Sequence, residues 1–351
     1  YYSVVAGWTL QYSLRSIFLG FKGMSGEDMT NYFIQFLGNP YKQVFWHLVF
    51  MVLTTYIVIR GVTKGIEQWS KILMPILFLL VVSLAIYALS TSGAALRTFA
   101  FLFTPNFKEV TPHTILEALG HAFFTLSLGM GVMITYGSYL SKEEDLFKSA
   151  ATVTIMDTLV ALTACLMIYP IVFGFGLQPK ESIGIIFTTL PVVFQRIPGG
   201  AVIAPLFFIL MAFAALTSSI SLLEVVTAYF IDEYKFTRKK ATLLTAFIIF
   251  LFGVPSALCN GGVQWISKIK LLSKGGVWLN WLDSFDYLAS NWLLPIGGFF
   301  IALFVGWFLS KSIEEKELGH HKLFNVWHFV IRYVTPVAVL IIFLNKVGII
   351  G

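Results

Sequence analysis

Runs of about twenty apolar residues recur along the whole of this 351-residue chain. At a helical rise of about 1.5 Å per residue, one such run crosses the hydrocarbon core of a bilayer. Lipid offers no partner to backbone N–H and C=O groups, so each crossing must satisfy its own, which a helix does. About nine spans can be drawn this way: 1–21, 42–60, 67–91, 114–140, 148–175, 200–231, 240–257, 284–309 and 325–348. The chain is 57% hydrophobic and only 12% charged, with a mean hydropathy of +0.81, too little charge to cover a soluble surface of this size. The residues therefore predict an all-α, polytopic protein of the cytoplasmic membrane, bathed in lipid. Its connections show no soluble domain and no low-complexity linker.

The net charge of +6 follows from where Lys and Arg lie. The short loops 60–71, 141–148, 232–240 and 310–322 are basic, whereas 22–42, 92–111, 177–199 and 255–282 are longer and carry positive residues at a lower density. Positive loops stay on the cytoplasmic side, so the first span runs outward and Gly351 lies outside. No basic stripe interleaved with aromatics exists outside the spans, which argues against nucleic acid as a partner. Cys165 and Cys259 sit in or beside spans without CxxC spacing and read as inert buried thiols. The chain starts at Tyr1 with no charged segment ahead of an apolar one; it reads as beginning inside a helix, without a signal peptide.

The segment 122–139, AFFTLSLGMGVMITYGSY, is long enough to cross but places Ser127, Gly129 and Gly131 at its centre. Glycine there weakens a helix, and lipid tolerates open backbone only where it lines a protein cavity. Two readings stand. A helix broken at that point offers free N–H and C=O groups to a zwitterion or cation. Alternatively, small residues let a neighbouring helix approach closely, although GxG is not GxxxG. A second cluster, Ala214 to Ser219 (AALTSS), puts positions 214, 217 and 218 on one helical face. Two hydroxyls and a carbonyl there suit an alkali cation, or the hydroxyls simply bond back to the preceding turn.

Ionisable residues within spans are costly and point to function. Asp157 lies near mid-depth, Glu224 in the cytoplasmic half of its span, and Asp286 near an outer end, where an interfacial role is equally open. His121, one turn before Thr125, reads either as a packed or as a titrating histidine.

The stretch from His121 to Tyr139, the Ala214–Ser219 cluster and the loop RGVTKGIE at 60–67 resemble the neurotransmitter:sodium symporters. Gly65 with Pro75, FTTLP at 187–191, and Asp232-Glu followed by Arg238-Lys extend the resemblance across the chain. It implies a LeuT-type inverted-repeat bundle forming a single transporter domain over 1–351, its spans equivalent to helices 3–11 and its broken helix at 114–140. It also implies sodium-coupled symport of a neutral, hydrophobic amino acid by alternating access, and no enzymatic activity. Tyr2 corresponds to a tyrosine that binds the substrate carboxylate. Phe124 corresponds to a lid, and Ser127, Gly129, Met130 and Met133 to the broken helix around the substrate. Thr125 and Asp157 correspond to the first sodium site, with a carboxylate where the family has an amide. Ala214, Thr217 and Ser218 correspond to the second, with Ser218, Ser219 and Leu222 on the pocket wall. Phe124, Asp286, Tyr139 and Asp232 correspond to gate positions.

The resemblance also implies that the 351 residues lack the family's first two helices, and with them about half of both sodium shells. The chain then reads as a fragment of a longer transporter, as a truncated remnant, or as a non-transporting binding or regulatory protein. A channel would need a continuous polar lining rather than isolated mid-depth groups. An intramembrane enzyme would need a nucleophile and base at a recognisable spacing; His320-His321 reads as a solvated loop pair. The residues do not indicate an oligomeric state.

Overall fold

The computed structural model describes residues 1–176, 185–274, 276–318 and 323–350. Expectations placed on 177–184, on His320 and His321, and on Gly351 lie outside the described residues. The described chain is helical, running α1 (Tyr2–Ile17), α2 (Gly26–Leu37), α3 (Pro40–Ile59), α4 (Gln68–Thr91), α5 (Ala95–Phe103), α6 (Pro112–Thr125), α7 (Val132–Gly137) and α8 (Leu146–Gly174). It continues through α9 (Leu190–Arg196), α10 (Gly200–Asp232), α11 (Arg238–Leu258), α12 (Gln264–Lys268), α13 (Trp281–Tyr287), α14 (Leu294–Leu303), α15 (Lys311–Leu318), α16 (Phe324–Phe329) and α17 (Thr335–Lys346). A ribbon of two-residue strands, Ser273–Lys274 and Val277–Trp278, is the one sheet among the described residues.

Seven described helical stretches are long and apolar enough to cross a membrane: Pro40–Ile59, Val62–Thr91, Leu146–Gly174, Gly200–Asp232, Arg238–Leu258, Trp281–Phe308 and Phe324–Lys346. Several run through π-helical turns, as at Val62–Glu67 ahead of α4 and at Leu288–Leu293 and Phe304–Phe308 around α14. These seven fall within a few residues of the expected spans, apart from the earlier start at Val62. The other two expected spans differ. The first forms a helix of 16 residues, and 114–140 is divided between α6 and α7, neither of which is long enough to cross alone.

The chain divides into two compact units. The first comprises Tyr1–Pro105, Val160–Lys274 and Trp278–Leu282. Here α10 packs against α1, α3, α4 and α11. A helix with neighbours on so many sides is largely apolar, its polar residues, among them Thr217, Ser218, Ser219, Ser221, Glu224 and Thr227, gathered in its second half. Backbones approach closely where α1 meets α3: a Cβ added to Gly7 would lie 2.8 Å from the Trp46 carbonyl. Tyr12 centres an aromatic cluster, its ring 5.0 Å from Phe187, 5.1 Å from Phe21 and 5.2 Å from Phe208. The FTTLP motif, expected in an outer loop, is helical, and it inserts Phe187 into this core.

The second unit comprises Asn106–Leu159, Gly275–Val277 and Asp283–Gly351. Within it, α17 packs against α6 and α14. Trp307 Nε1 donates to the Arg332 carbonyl at 2.9 Å, and buried Glu314 meets His328 Nδ1 at 2.7 Å.

Candidate functional site

The break between α6 and α7 begins in local chemistry. Thr111 caps α6 through the Thr114 amide, with Pro112 in the first turn. The helix stops at Thr125 because left-handed residues follow at alternate positions: Ser127 (φ 54°), Gly129 (φ 80°) and Gly131 (φ 79°). Glycine takes that conformation without a Cβ penalty, whereas Ser127 takes it at a cost of about 1–3 kcal/mol. Leu128 N–H turns back to the Phe123 carbonyl at 3.1 Å, and α7 restarts when Thr135 N–H reaches Gly131 at 2.9 Å. Between these points, the N–H groups of Gly129, Met130 and Gly131 make no backbone hydrogen bond among the described residues. These donors, with the open end of α6, form the polar element of an otherwise apolar span.

Gly129 also makes a close helix contact. A Cβ there would stand 2.4 Å from the Leu294 carbonyl oxygen and 2.9 Å from the Gly298 amide; one on Gly297 would stand 2.6 Å from the Gly129 oxygen. The broken-helix and close-packing readings of GxG therefore hold together, the opened backbone resting on α14. Sequence reasoning did not single out Gly297 and Gly298, although a Gly-Gly pair inside an apolar span is a usable signal for such a seat.

Thr125 and Asp157 come together in the second unit. Thr125 Oγ1 donates to Asp157 Oδ2 at 3.2 Å, with the Ala122 carbonyl at 3.3 Å from the same hydroxyl. Both residues are half-buried. Ser127 and Met130 are half-buried beside them in the chain, while Phe124 and Met133 stay 45% and 42% exposed and so belong to no packed core. His121 and Tyr139 are exposed at either side of the break, and exposed Asp286 accepts from Ser290 Oγ at 3.4 Å.

In the first unit, Thr217 Oγ1 and Ser218 Oγ lie 2.9 Å and 3.3 Å from the Ala214 carbonyl oxygen. This is back-bonding to the preceding turn, and it gathers three oxygens on one face of α10. Tyr2 is in hydrogen-bonding reach of Ser218. Ser219 behaves differently: it is buried, bonded to the Leu216 carbonyl at 2.9 Å and to Thr54 Oγ1 at 2.8 Å, and ties α10 to α3. Leu222 is 36% exposed, and Asp232 is exposed at the last position of α10.

Glu224 is fully buried and paired with Arg238 Nη2, while Arg238 Nε donates to the Val58 carbonyl at 2.9 Å. Its partner comes from α11 and escaped sequence reasoning. The donor sets around Thr125–Asp157 and Ala214–Ser218 are all oxygen, which suits a hard cation.

An interrupted span with opened backbone, with the Thr125 and Asp157 oxygens at one end of the break, in a many-helix membrane protein points to a transporter of ions and small solutes. The family model described as the sodium:neurotransmitter symporter family matches residues 29–350, and the chain belongs to that family. It is therefore a sodium-dependent, multi-pass membrane transporter, of a family that is not a class of enzymes. It is 39% identical over 356 residues to an uncharacterized sodium-dependent transporter of Bacillus subtilis (strain 168), covering 100% of this chain and 77% of the relative. A sodium-dependent transporter of Haemophilus influenzae is 34% identical over 354 residues, covering 99% and 75%. The crystal structure of MhsT in complex with L-phenylalanine superposes with a TM-score of 0.86 at 41% identity, covering 99% of this chain and 77% of that one. The fold is the LeuT-type bundle.

Proposed function

We propose that this protein couples sodium entry to uptake of a neutral, hydrophobic amino acid across the cytoplasmic membrane. The observation that carries this reading is the opened backbone at 126–131, with Thr125 and Asp157 at one end and apolar side chains around it. Free N–H groups suit a substrate carboxylate. Phe124, Met130 and Met133 suit an apolar side chain and carry no counter-charge for an acidic or basic one. The likeness to MhsT, solved with L-phenylalanine, supports the same substrate class.

Two sodium ions are the expected cofactors. Thr125 and Asp157 supply donors to the first, Ala214, Thr217 and Ser218 to the second. Within the second unit the substrate residues proposed are Ser127, Gly129, Met130 and Met133. Within the first, the family resemblance implies Tyr2, Ser218, Ser219 and Leu222, of which Ser219 ties α10 to α3. Phe124 closes the pocket as a lid. Asp286 on the outer side, and Tyr139 and Asp232 on the cytoplasmic side, serve as gate residues. Ion binding would hold one conformation until substrate lets the lid close, and release would follow on the other side. Uptake of a panel of labelled amino acids by proteoliposomes of the full-length protein, with and without a sodium gradient, tests the reading. Uptake confined to neutral apolar substrates and to the sodium condition supports it; preference for charged substrates or for potassium counts against it.

A further inference from the structure

The first unit holds a cavity of about 530 Å³ where α1 ends and α10 begins. That volume falls in the range of small-ligand sites. Its lining includes Lys22 and Arg196 and, among the described residues, no acidic one. Neither cation has an ion pair or a hydrogen bond among the described residues. The backbone beneath them is fixed: Gly23 N–H donates to Gln195 Oε1 at 2.7 Å, and Gln195 Nε2 donates to the Pro191 carbonyl at 3.3 Å. The loop after α1 and the end of α9 are thereby held side by side, each presenting one exposed cation. The remaining wall is largely apolar, with Leu19, Met24 and Ala201 among its members.

The depth of the cavity follows from its helices. Gly200 opens the apolar span of α10, so the cavity sits at that span's terminus, at the end opposite the basic loop 232–240, which by the distribution of Lys and Arg is the outer end. Ala214 lies fourteen residues further along α10, roughly 21 Å by helical rise, so this cavity is separate from the ion donors on that helix. Two unpaired cations above an apolar hollow at an interface are complementary to an anion that carries its own hydrocarbon.

We propose that this cavity binds an anionic phospholipid of the outer leaflet, its phosphodiester between Lys22 and Arg196 and its acyl chain against Leu19, Met24 and Ala201. The assignment is independent of the transported substrate. The test is the thermal stability of the full-length, detergent-solubilised protein titrated with short-chain phosphatidylglycerol, short-chain phosphatidylcholine or inorganic phosphate. The expected result is a saturable upward shift with phosphatidylglycerol alone. Lys22→Gln and Arg196→Gln should each weaken the apparent affinity about five-fold, and the pair roughly twenty-five-fold. Ala201→Trp places an indole on the wall proposed for the acyl chain, with both cations intact, and should abolish the shift, so the test survives failure of the charge variants to fold. Equal shifts with the two lipids, or a shift that survives Ala201→Trp, would overturn the proposal. A response to inorganic phosphate as strong as that to the lipid would overturn the lipid assignment.

Discussion

Thr125 Oγ1 donates to Asp157 Oδ2 across 3.2 Å, so the last residue of α6 and the first half of α8 present a hydroxyl and a carboxylate to one point in the second unit. A full negative charge at that depth is costly without a cation, and in a low-dielectric setting a counter-charge is worth most. Asp157→Asn should raise the sodium concentration for half-maximal transport by about ten-fold, equivalent to ~1.4 kcal/mol. Sodium titration of uptake checks this; an unchanged midpoint with normal surface expression contradicts it.

Many animal members of this family require chloride beside their first sodium, where the neutral side chains leave the ions' charge uncompensated. In the proposed first sodium site Asp157 would supply a fixed anion, and Ala161, one turn along α8, would not. Replacing chloride by gluconate should leave uptake by the unmutated protein intact, while Asp157→Asn should become slower or anion-responsive. A large loss of rate in the unmutated protein would show that Asp157 does not serve as the anion.

Thr217→Ala and Ser218→Ala each remove one of the hydroxyls within 3.3 Å of the Ala214 carbonyl. The Thr217 hydroxyl bonds to that carbonyl, and the Ser218 hydroxyl to it and to Tyr2; folding should change by about 0.5 kcal/mol or less for Thr217→Ala and by about 1 kcal/mol for Ser218→Ala. Sodium half-saturation should rise several-fold. Loss of expression with an unaltered sodium midpoint would assign these hydroxyls to structure instead.

Phe124 is 45% exposed, which separates it from a core aromatic whose loss costs about 3–5 kcal/mol. Phe124→Ala should leave thermal stability nearly unchanged and accelerate substrate dissociation. A large drop in melting temperature would contradict the lid role.

Gly129 and Gly137 form a matched pair. Gly129 has φ 80° and a Cβ there meets the Leu294 carbonyl at 2.4 Å, whereas a Cβ on Gly137 meets nothing within 4 Å. Gly129→Ala should destabilise by more than the ~1–3 kcal/mol of backbone strain alone, and Gly137→Ala should be neutral or slightly stabilising. Thermal melts of the two variants, run side by side, give the comparison.

Much of the architecture was legible because a bilayer demands a fixed apolar length. The expected span 200–231 lies within a residue of Gly200–Asp232, and 148–175 within two residues of Leu146–Gly174. The break was legible too, since two glycines and a serine at mid-span have few other uses. Which serine turned left-handed was not, because nothing in local propensity marks Ser127. Contacts set by tertiary approach stayed hidden: the Gly297–Gly298 seat, the Thr54 partner of Ser219, and Arg238, which reaches Glu224 from another helix. The helix Gly26–Leu37 was read as loop, although Ser25 and Asp28 carry a capping box.

The central claim is sodium-coupled uptake of a hydrophobic amino acid through the site that contains Asp157. It is tested most directly by loading liposomes with potassium, reconstituting the full-length protein, and following entry of a labelled neutral apolar amino acid when sodium is added outside. The account predicts accumulation above the external concentration, abolished by collapsing the sodium gradient and strongly reduced by Asp157→Asn. Accumulation that is indifferent to sodium, or that Asp157→Asn leaves untouched at sub-saturating sodium, would contradict it.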